Sequence, residues 1–349
     1  MRWKQRPPGS NWGDFGPDDQ RGRMNLVTRE KVLQGIAEVK EGISFTLSLP
    51  LDYPGGSVLN PRRKPPRLAA TIRDGKSAGM QNFCFALEAD QPGLTDVVCD
   101  DVALLTLQYS TQWDSFAHVG SRFDADGDGK REVVFYNGFR AGEHLLPSTE
   151  NNSGESWARY EGTEAKALGI QNLAEHGAQG RGVLIDLHAH FGRESKAIGY
   201  EALMRVLDRD KVQVEEGDML CLYTGFADVI LEMNKHPEAK LLHATCTGLD
   251  GHDGRLLQWI SECGLAALIA DNYAVEIIAA SLTKPKPHAL MPLHEHCLFK
   301  NGIHLGEMWY LTELARWLRM HARNRFLLTA PPLRLPGAVG SPVTPVATV

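Results

Sequence analysis

The chain has 349 residues, 43% of them apolar and 23% charged, which suits a folded protein with a substantial core and argues against global disorder. With 37 Lys/Arg against 43 Asp/Glu the net charge is −6, so there is no basic footprint for nucleic acid or an anionic membrane. No apolar run is long enough to span a bilayer, and the opening Met1-Arg-Trp-Lys4 lacks a signal-peptide core; a cytoplasmic protein acting on a small molecule is the expectation.

The first residues are rich in Gly, Pro, Asn and Trp, and read as an N-terminal arm over 1–30 that packs by Trp3, Trp12 and Phe15. Thr28 has the character of an N-cap for a helix running to Val39. Ile43 to Leu49 alternates apolar and polar residues as a strand does. Residues 54–80 form a long basic loop around Pro61-Arg-Arg-Lys-Pro-Pro66, a candidate cover for a cleft. Val102 to Leu107 reads as a buried strand, and the polar cluster after it should emerge at a strand end.

Further strands are predicted at 182–186, 219–223 and 265–270, and helices around 163–176, 199–208, 255–263 and 307–323. Strands alternating with helices indicate an α/β fold with a largely parallel or mixed sheet. The tail from Pro331 is Pro-rich and non-helical, and no composition break divides residues 31–349, so these read as a single domain. The six cysteines form no Cys-x-x-Cys pair and are expected to be reduced and mostly buried.

Candidate chemistry concentrates in two segments. Gln108-Tyr-Ser-Thr-Gln-Trp-Asp-Ser-Phe-Ala-His118 sets Asp114 and His118 four residues apart, behind two glutamines with the same spacing. His294-Glu-His-Cys…Gly306-Glu307 supplies an imidazole and a carboxylate, with Glu307 read as the first turn of a helix over 308–320. If His294 and Glu307 meet Asp114, they provide the donors that a Zn²⁺ or Mn²⁺ site needs; the alternative is exposed histidines beside a helix cap. Three other motifs carry less. Asp186-Leu-His-Ala-His190 lies too late in the chain for the first strand of an amidohydrolase barrel. Asp124-Ala-Asp-Gly-Asp-Gly129 begins like a calcium loop, but Phe135 stands where the bidentate Glu belongs. No nucleophile elbow or phosphate loop is present.

The segment 108–118 resembles the His-x-Gly-Thr-His-x-Asp-x-Pro-x-His pattern of the cyclase family of metal-dependent hydrolases, which includes bacterial kynurenine formamidase and isatin hydrolase. Thr111, Asp114 and His118 agree; Gln108 and Gln112 replace two metal-binding histidines, and Phe116 replaces the proline. Segments at 11–19, 47–51, 182–186, 216–225, 270–271, 294–307 and 332–342 are similar as well, as in a branch carrying Thr-Gln-Trp-Asp. The resemblance implies a swivelling β/β/α-type α/β domain with a mixed sheet, and a homodimer or homotetramer. It implies His118 as general base, Asp114 as a catalytic carboxylate, and Asp114, His294, Glu307 and Gln112 as metal ligands. One divalent ion is expected, Mn²⁺ or Zn²⁺ with Mg²⁺ as a further candidate, because a Gln amide oxygen is a weaker and harder donor than imidazole. Gln108, Trp113, Phe116, Trp12 and Trp309 are the candidate substrate-binding residues, the aromatics as an apolar wall. The reaction implied is hydrolysis of an amide, lactam, lactone or aryl formamide. A lyase using the same base, or a metal-free binding protein, are the alternatives.

Overall fold

The computed structural model describes residues 1–147, 163–278 and 288–349. Nine strands form one mixed sheet. In chain order they are β1 (Ser44–Thr46), β2 (Gln112–Asp114), β3 (Gln179–Asp186), β4 (Met219–Tyr223), β5 (Ala267–Ala270), β6 (His304–Glu307), β7 (Arg325–Thr329), β8 (Gly340–Pro342) and β9 (Val346–Thr348). Across the sheet the order is β1-β9-β7-β3-β4-β5-β6-β2-β8. The four central strands β3 to β6 are parallel, and antiparallel pairs flank them on both sides. This is the expected mixed α/β sheet.

Strands β4 and β5 are buried at every position, which is why they read as continuous apolar runs rather than alternating ones. Helices α1 (Arg29–Ala37) and α5 (Thr312–Met320) help cover one face; α2 (Tyr200–Asp210) and α4 (Gly254–Glu262) help cover the other. Between the last two in sequence lies α3 (Phe226–Glu232). The cap at Thr28 forms as expected, its hydroxyl accepting from Lys31 N at 3.3 Å. Helix α1 lies so close to β3 that a Cβ on Gly35 would sit 2.7 Å from the Gly180 carbonyl carbon. In α4, Asp253 caps the helix by accepting from Arg255 N and Leu256 N, and Leu256 and Ile260 bury one face at a spacing of one turn.

Several expectations fail for physical reasons. Val102 does not start a buried strand: Asp101–Leu104 pairs only with Arg67–Ala70, in a two-stranded ribbon largely open to solvent. The main-sheet strand is instead the polar Gln112–Asp114. Glu307 ends a strand, and the helix starts five residues later at Thr312. The predicted helix at 163–176 shrinks to Gln171–His176, preceded by a two-residue strand at Glu164–Ala165. The tail is non-helical as expected, yet it supplies β8 and β9. Among the described residues no helix is long and apolar enough to cross a membrane.

The N-terminal residues are bound into the body rather than draped over it. Trp12 is fully buried and Arg23 donates to the carbonyls of Ile260 and Ser261 at 2.8 and 2.7 Å. A second polar anchor lies at the entry to β4. Buried Asp218 accepts from Lys31 Nζ at 3.1 Å, Arg181 Nε at 2.8 Å and Nη2 at 3.0 Å, and the Glu215 amide at 2.8 Å. Replacing Asp218 by Ala leaves two buried cations short of a partner. A loss of about 3–5 kcal/mol is expected in denaturant unfolding; a loss below about 1 kcal/mol would refute this role for the anchor.

Candidate metal and catalytic site

Strand β2 pairs with β6 so that Glu307 lies opposite Gln112 and Leu305 opposite Asp114. Side chains alternate along a strand and directly opposed residues share a face. Gln112, Asp114 and Glu307 therefore converge on one face, and Trp113 points to the other. On the far side of β2, Gly340 of β8 lies opposite Asp114. A Cβ there would sit 2.5 Å from Gln108 Nε2, so this glycine leaves room for the Gln108 amide beside the Asp114 end of the strand.

His294 reaches the same face from Pro292–His294, a short turn that runs on into the π-helical Glu295–Lys300. Its Nδ1 lies 2.8 Å from Glu276 Oε1 and its Nε2 3.1 Å from Glu307 Oε1. Glu276 also accepts the backbone amides of Leu293 and His294, each at 3.0 Å. The two residues before it, Ala274 and Val275, have φ of 81° and 56°. A left-handed β-branched residue is strained, and here it presents the buried carboxylate to the ring.

Asp114, His294 and Glu307 offer ligand atoms that all lie within 4.8 Å of one another. Each residue is buried. Among the described residues this is the one such group of three or more His, Cys, Asp or Glu. Bonds of about 2.0–2.2 Å keep ligand atoms within about 4.4 Å, so small side-chain shifts bring the three onto an ion. Among the buried side-chain atoms without a hydrogen-bond partner, two belong to this cluster: Asp114 Oδ2 and Gln112 Oε1. An unpartnered buried carboxylate oxygen is costly and fits a position meant for a cation.

The electrostatics fit the same reading. Burial raises the Asp114 pKa, and the Glu307 charge raises it further against the pull of His118. Burial works the same way and most strongly on Glu307, but the hydrogen bond from His294 and the charges of His294, Arg63 and His118 together outweigh it and lower that pKa. Burial, the largest single influence, would depress the His294 pKa; its hydrogen bonds to Glu276 and Glu307 and their charges together overcome it and hold it at about 10. Arg63, from the basic loop, places Nη1 3.9 Å from Glu307 Oε2. Three carboxylates (Asp114, Glu307, Glu276) thus face one guanidinium. One divalent ion with neutral His294 brings the group to neutrality, and a second ion would leave it two charges positive.

His118 stands at the mouth, 22% exposed, with Nε2 3.8 Å from Asp114 Oδ1. It borders the ligand group without belonging to it. Gln112 is not turned as a ligand: its amide nitrogen donates to Glu307 Oε2 at 3.0 Å and reaches Asp114 Oδ1 at 3.5 Å. Thr111 is structural, donating to the Met308 carbonyl at 2.6 Å and accepting the Leu49 amide at 2.9 Å.

The expected aromatic wall is not there. Trp113 and Trp309 pack edge-to-face at 5.1 Å in the core on the opposite side of the sheet, with their indoles donating to the carbonyls of Ala330 and Gln112. Phe116 stacks on the His304 ring at 4.0 Å, and Trp12 donates to the Phe299 carbonyl at 2.7 Å. All four are at most 1% exposed, so they act as core. The other motifs stay apart from the site. His190 pairs with Asp210 at 2.7 Å, and Asp124 closes a turn by accepting the amides of Asp128 and Gly129.

Three site residues escaped the sequence reading. Glu276 lies in a segment with no motif spacing to flag it. Arg63 is one of six cations in the 54–80 loop marked as a cover, with nothing to single it out. Gly340 sits in an ordinary Gly-Ser-Pro turn signal.

The family model described as "Putative cyclase" matches residues 45–277. The chain belongs to the cyclase family. As a member it is an enzyme. A crystal structure of a novel cyclase is 30% identical, with 97% of this chain and 99% of that chain covered and a TM-score of 0.72. Isatin hydrolase A from Ralstonia solanacearum is 13% identical over 92% and 97% of the two chains, at TM-score 0.52. Isatin hydrolase A from Labrenzia aggregata, bound to benzyl benzoate, is 12% identical over 91% and 97%, also at 0.52. The last two share the fold with this cyclase. No curated protein matches the chain.

Two expected results follow for this cyclase. Glu276→Gln should weaken binding of a divalent ion by about 10–100-fold, because the carboxylate that orients the His294 ring is lost; unaltered Mn²⁺ affinity in calorimetry would exclude that role. The second concerns His296, whose ring is bonded to Ser261 Oγ at 2.9 Å and whose pKa burial lowers to about 4. Its unfolded counterpart takes up a proton near ~6.5, so its stabilising contribution is complete above that pH and is lost as the pH falls toward about 4. The effect is roughly 3 kcal/mol, and His296→Gln should flatten the decline of stability with pH across that window. A wild-type slope in the variant would contradict it.

Proposed function

We propose that this cyclase is a hydrolase that uses one divalent ion held by Asp114, His294 and Glu307 to cleave an amide, lactam, lactone or aryl-formamide bond. The observation that carries the reading is the His294 ring, bonded through one nitrogen to buried Glu276 while the other faces two carboxylates. Outer carboxylates of this kind orient metal-bound imidazoles. The unpartnered Asp114 Oδ2 and the charge balance support a single ion. Mn²⁺, Zn²⁺ and Mg²⁺ all suit a mixed oxygen and imidazole donor set, and Mn²⁺ or Zn²⁺ is favoured by the imidazole.

When bound, the ion supplies Lewis acidity toward a carbonyl oxygen and lowers the pKa of a water. The chain's own residues do the rest. His118, partly exposed and close to Asp114, takes the water proton and returns it to the leaving nitrogen or oxygen. Asp114, fixed in the sheet, orients the His118 ring from one side. Gln108 presents its amide group to polar atoms of the substrate. Arg63, beside Glu307, offsets the carboxylate charge.

A metal-free binding protein draws on one observation, the Gln112 NH₂ turned toward the carboxylates. One experiment separates the two readings. Chelated and Mn²⁺- or Zn²⁺-loaded protein is assayed against N-formylkynurenine, isatin and small lactones and amides. Turnover that appears with the ion supports the hydrolase. Binding without turnover in the loaded protein, or turnover indifferent to chelation, overturns it.

A further inference from the structure

The ribbon Arg67–Ala70/Asp101–Leu104 grows from the body between two residues of the site, Arg63 before it and Gln108 after it. At its far end Phe85–Ala86 pairs with Val97–Val98, with Phe85 opposite Val98. One step back in that register, Cys84 meets Cys99. Their sulfurs are 3.8 Å apart, the Cys84 amide donates to Cys99 Sγ at 3.0 Å, and both residues are exposed. The expectation of mostly buried thiols holds for Cys221, Cys246 and Cys297, with Cys263 intermediate; Cys84 and Cys99 depart from it.

We propose that Cys84 and Cys99 are a thiol–disulfide site, oxidised reversibly by small-molecule disulfides. Three features of the fold carry the proposal. The sulfurs already touch, and cross-strand neighbours have backbone separations within the range a disulfide spans. The backbone on both sides is held in place. Arg73 donates to Asn82 Oδ1 at 2.6 Å and to Asp90, and stacks over the Phe85 ring at 4.0 Å. Asn82 in turn bonds Asp100 through side chain and backbone, at 2.5 and 2.7 Å. Finally, exposure gives an oxidant access, which the buried cysteines lack.

The chemistry balances. One thiolate attacks oxidised glutathione, forming a mixed disulfide and releasing one glutathione thiol. The second thiolate attacks the protein sulfur of that mixed disulfide, forming the Cys84–Cys99 bond and releasing a second glutathione. Two protein thiols lose two electrons and one small disulfide gains them; the two thiol protons pass to the departing glutathiones. The bond closes a covalent ring around the ribbon tip, residues 84–99, and restrains that tip.

The test treats the native full-length protein with oxidised glutathione, then alkylates and maps it. Expected are the loss of two free thiols, a peptide pair joined through Cys84 and Cys99, and reversal by dithiothreitol. Cys84→Ser and Cys99→Ser should each stop at a single glutathione adduct on the remaining partner. Limited proteolysis between residues 71 and 100 should slow several-fold in the oxidised wild type and stay unchanged in the variants. Wild-type protein that keeps both thiols, or that accumulates separate adducts without the cross-link, would overturn the proposal.

Discussion

Glu307→Ala is expected to lose bound divalent ion and, with it, turnover by more than about 100-fold. Glu307 is one of three ligand-bearing residues, is 2% exposed, and is the carboxylate that His294 Nε2 faces at 3.1 Å. Removing it leaves the imidazole and Asp114 alone, and structural effects on ligands beyond the first layer already cost about 10–100-fold. The substitution also strips Arg63 and the Gln112 amide of a charged partner. Elemental analysis and Mn²⁺ calorimetry on the variant check this. Wild-type affinity in Glu307→Ala would remove that carboxylate from the ion's ligands.

His118→Ala is expected to lower kcat by about 10²–10⁴ while leaving ion content unchanged. The split is the informative part. His118 is partly exposed and lies 3.8 Å from Asp114 Oδ1, so it borders the ligand group but is not enclosed in it. A general base lost from that place slows proton transfer and spares the metal. Loss of the ion together with the rate would make His118 a ligand instead, and unchanged turnover would end the assignment as base.

Much of the fold was readable because its core strands are buried on both faces. Runs such as Met219 to Tyr223 and Ala267 to Ala270 announce themselves by composition alone. The strand that carries the site did not. Gln112-Trp-Asp114 is polar at two of three positions, since its side chains make a site and not a core, while the apolar run before it went to an exposed ribbon. The same cause explains the error at Glu307. A carboxylate at the end of a strand beside a following amphipathic pattern looks like a helix N-terminus, and only the pairing of β6 with β2 decides otherwise.

The site residues divide in a similar way. Asp114, His118, His294 and Glu307 were legible because they sit in two compact polar segments and match a family pattern. Trp113 was misread because the period-two alternation of a strand sends it away from Gln112 and Asp114, a fact hidden until the segment is known to be a strand. Trp12, Phe116 and Trp309 were misread because an aromatic beside a motif is usually packing, as their burial here attests. Glu276 was invisible, since its role depends on a strained turn at Ala274 and Val275 that brings it behind His294. The segment 120–160 lies partly outside the described residues; its described part includes the turn closed by Asp124 and the strand pair that follows His118.

Gln108 and Gln112 stand where the resemblance implies two metal-binding histidines, and the proposed activity turns on them. Gln112 places its amide nitrogen where it donates to the Glu307 carboxylate, and rotation of that amide would offer its unpartnered oxygen instead. Three ligands and one ion remain consistent with either orientation. The most direct measurement is therefore an anomalous difference map from crystals grown with Mn²⁺ and without chelator. One peak per chain is expected, about 2.0–2.2 Å from Asp114, His294 Nε2 and Glu307; an empty cluster under saturating Mn²⁺, or two peaks within it, would contradict a single-ion site.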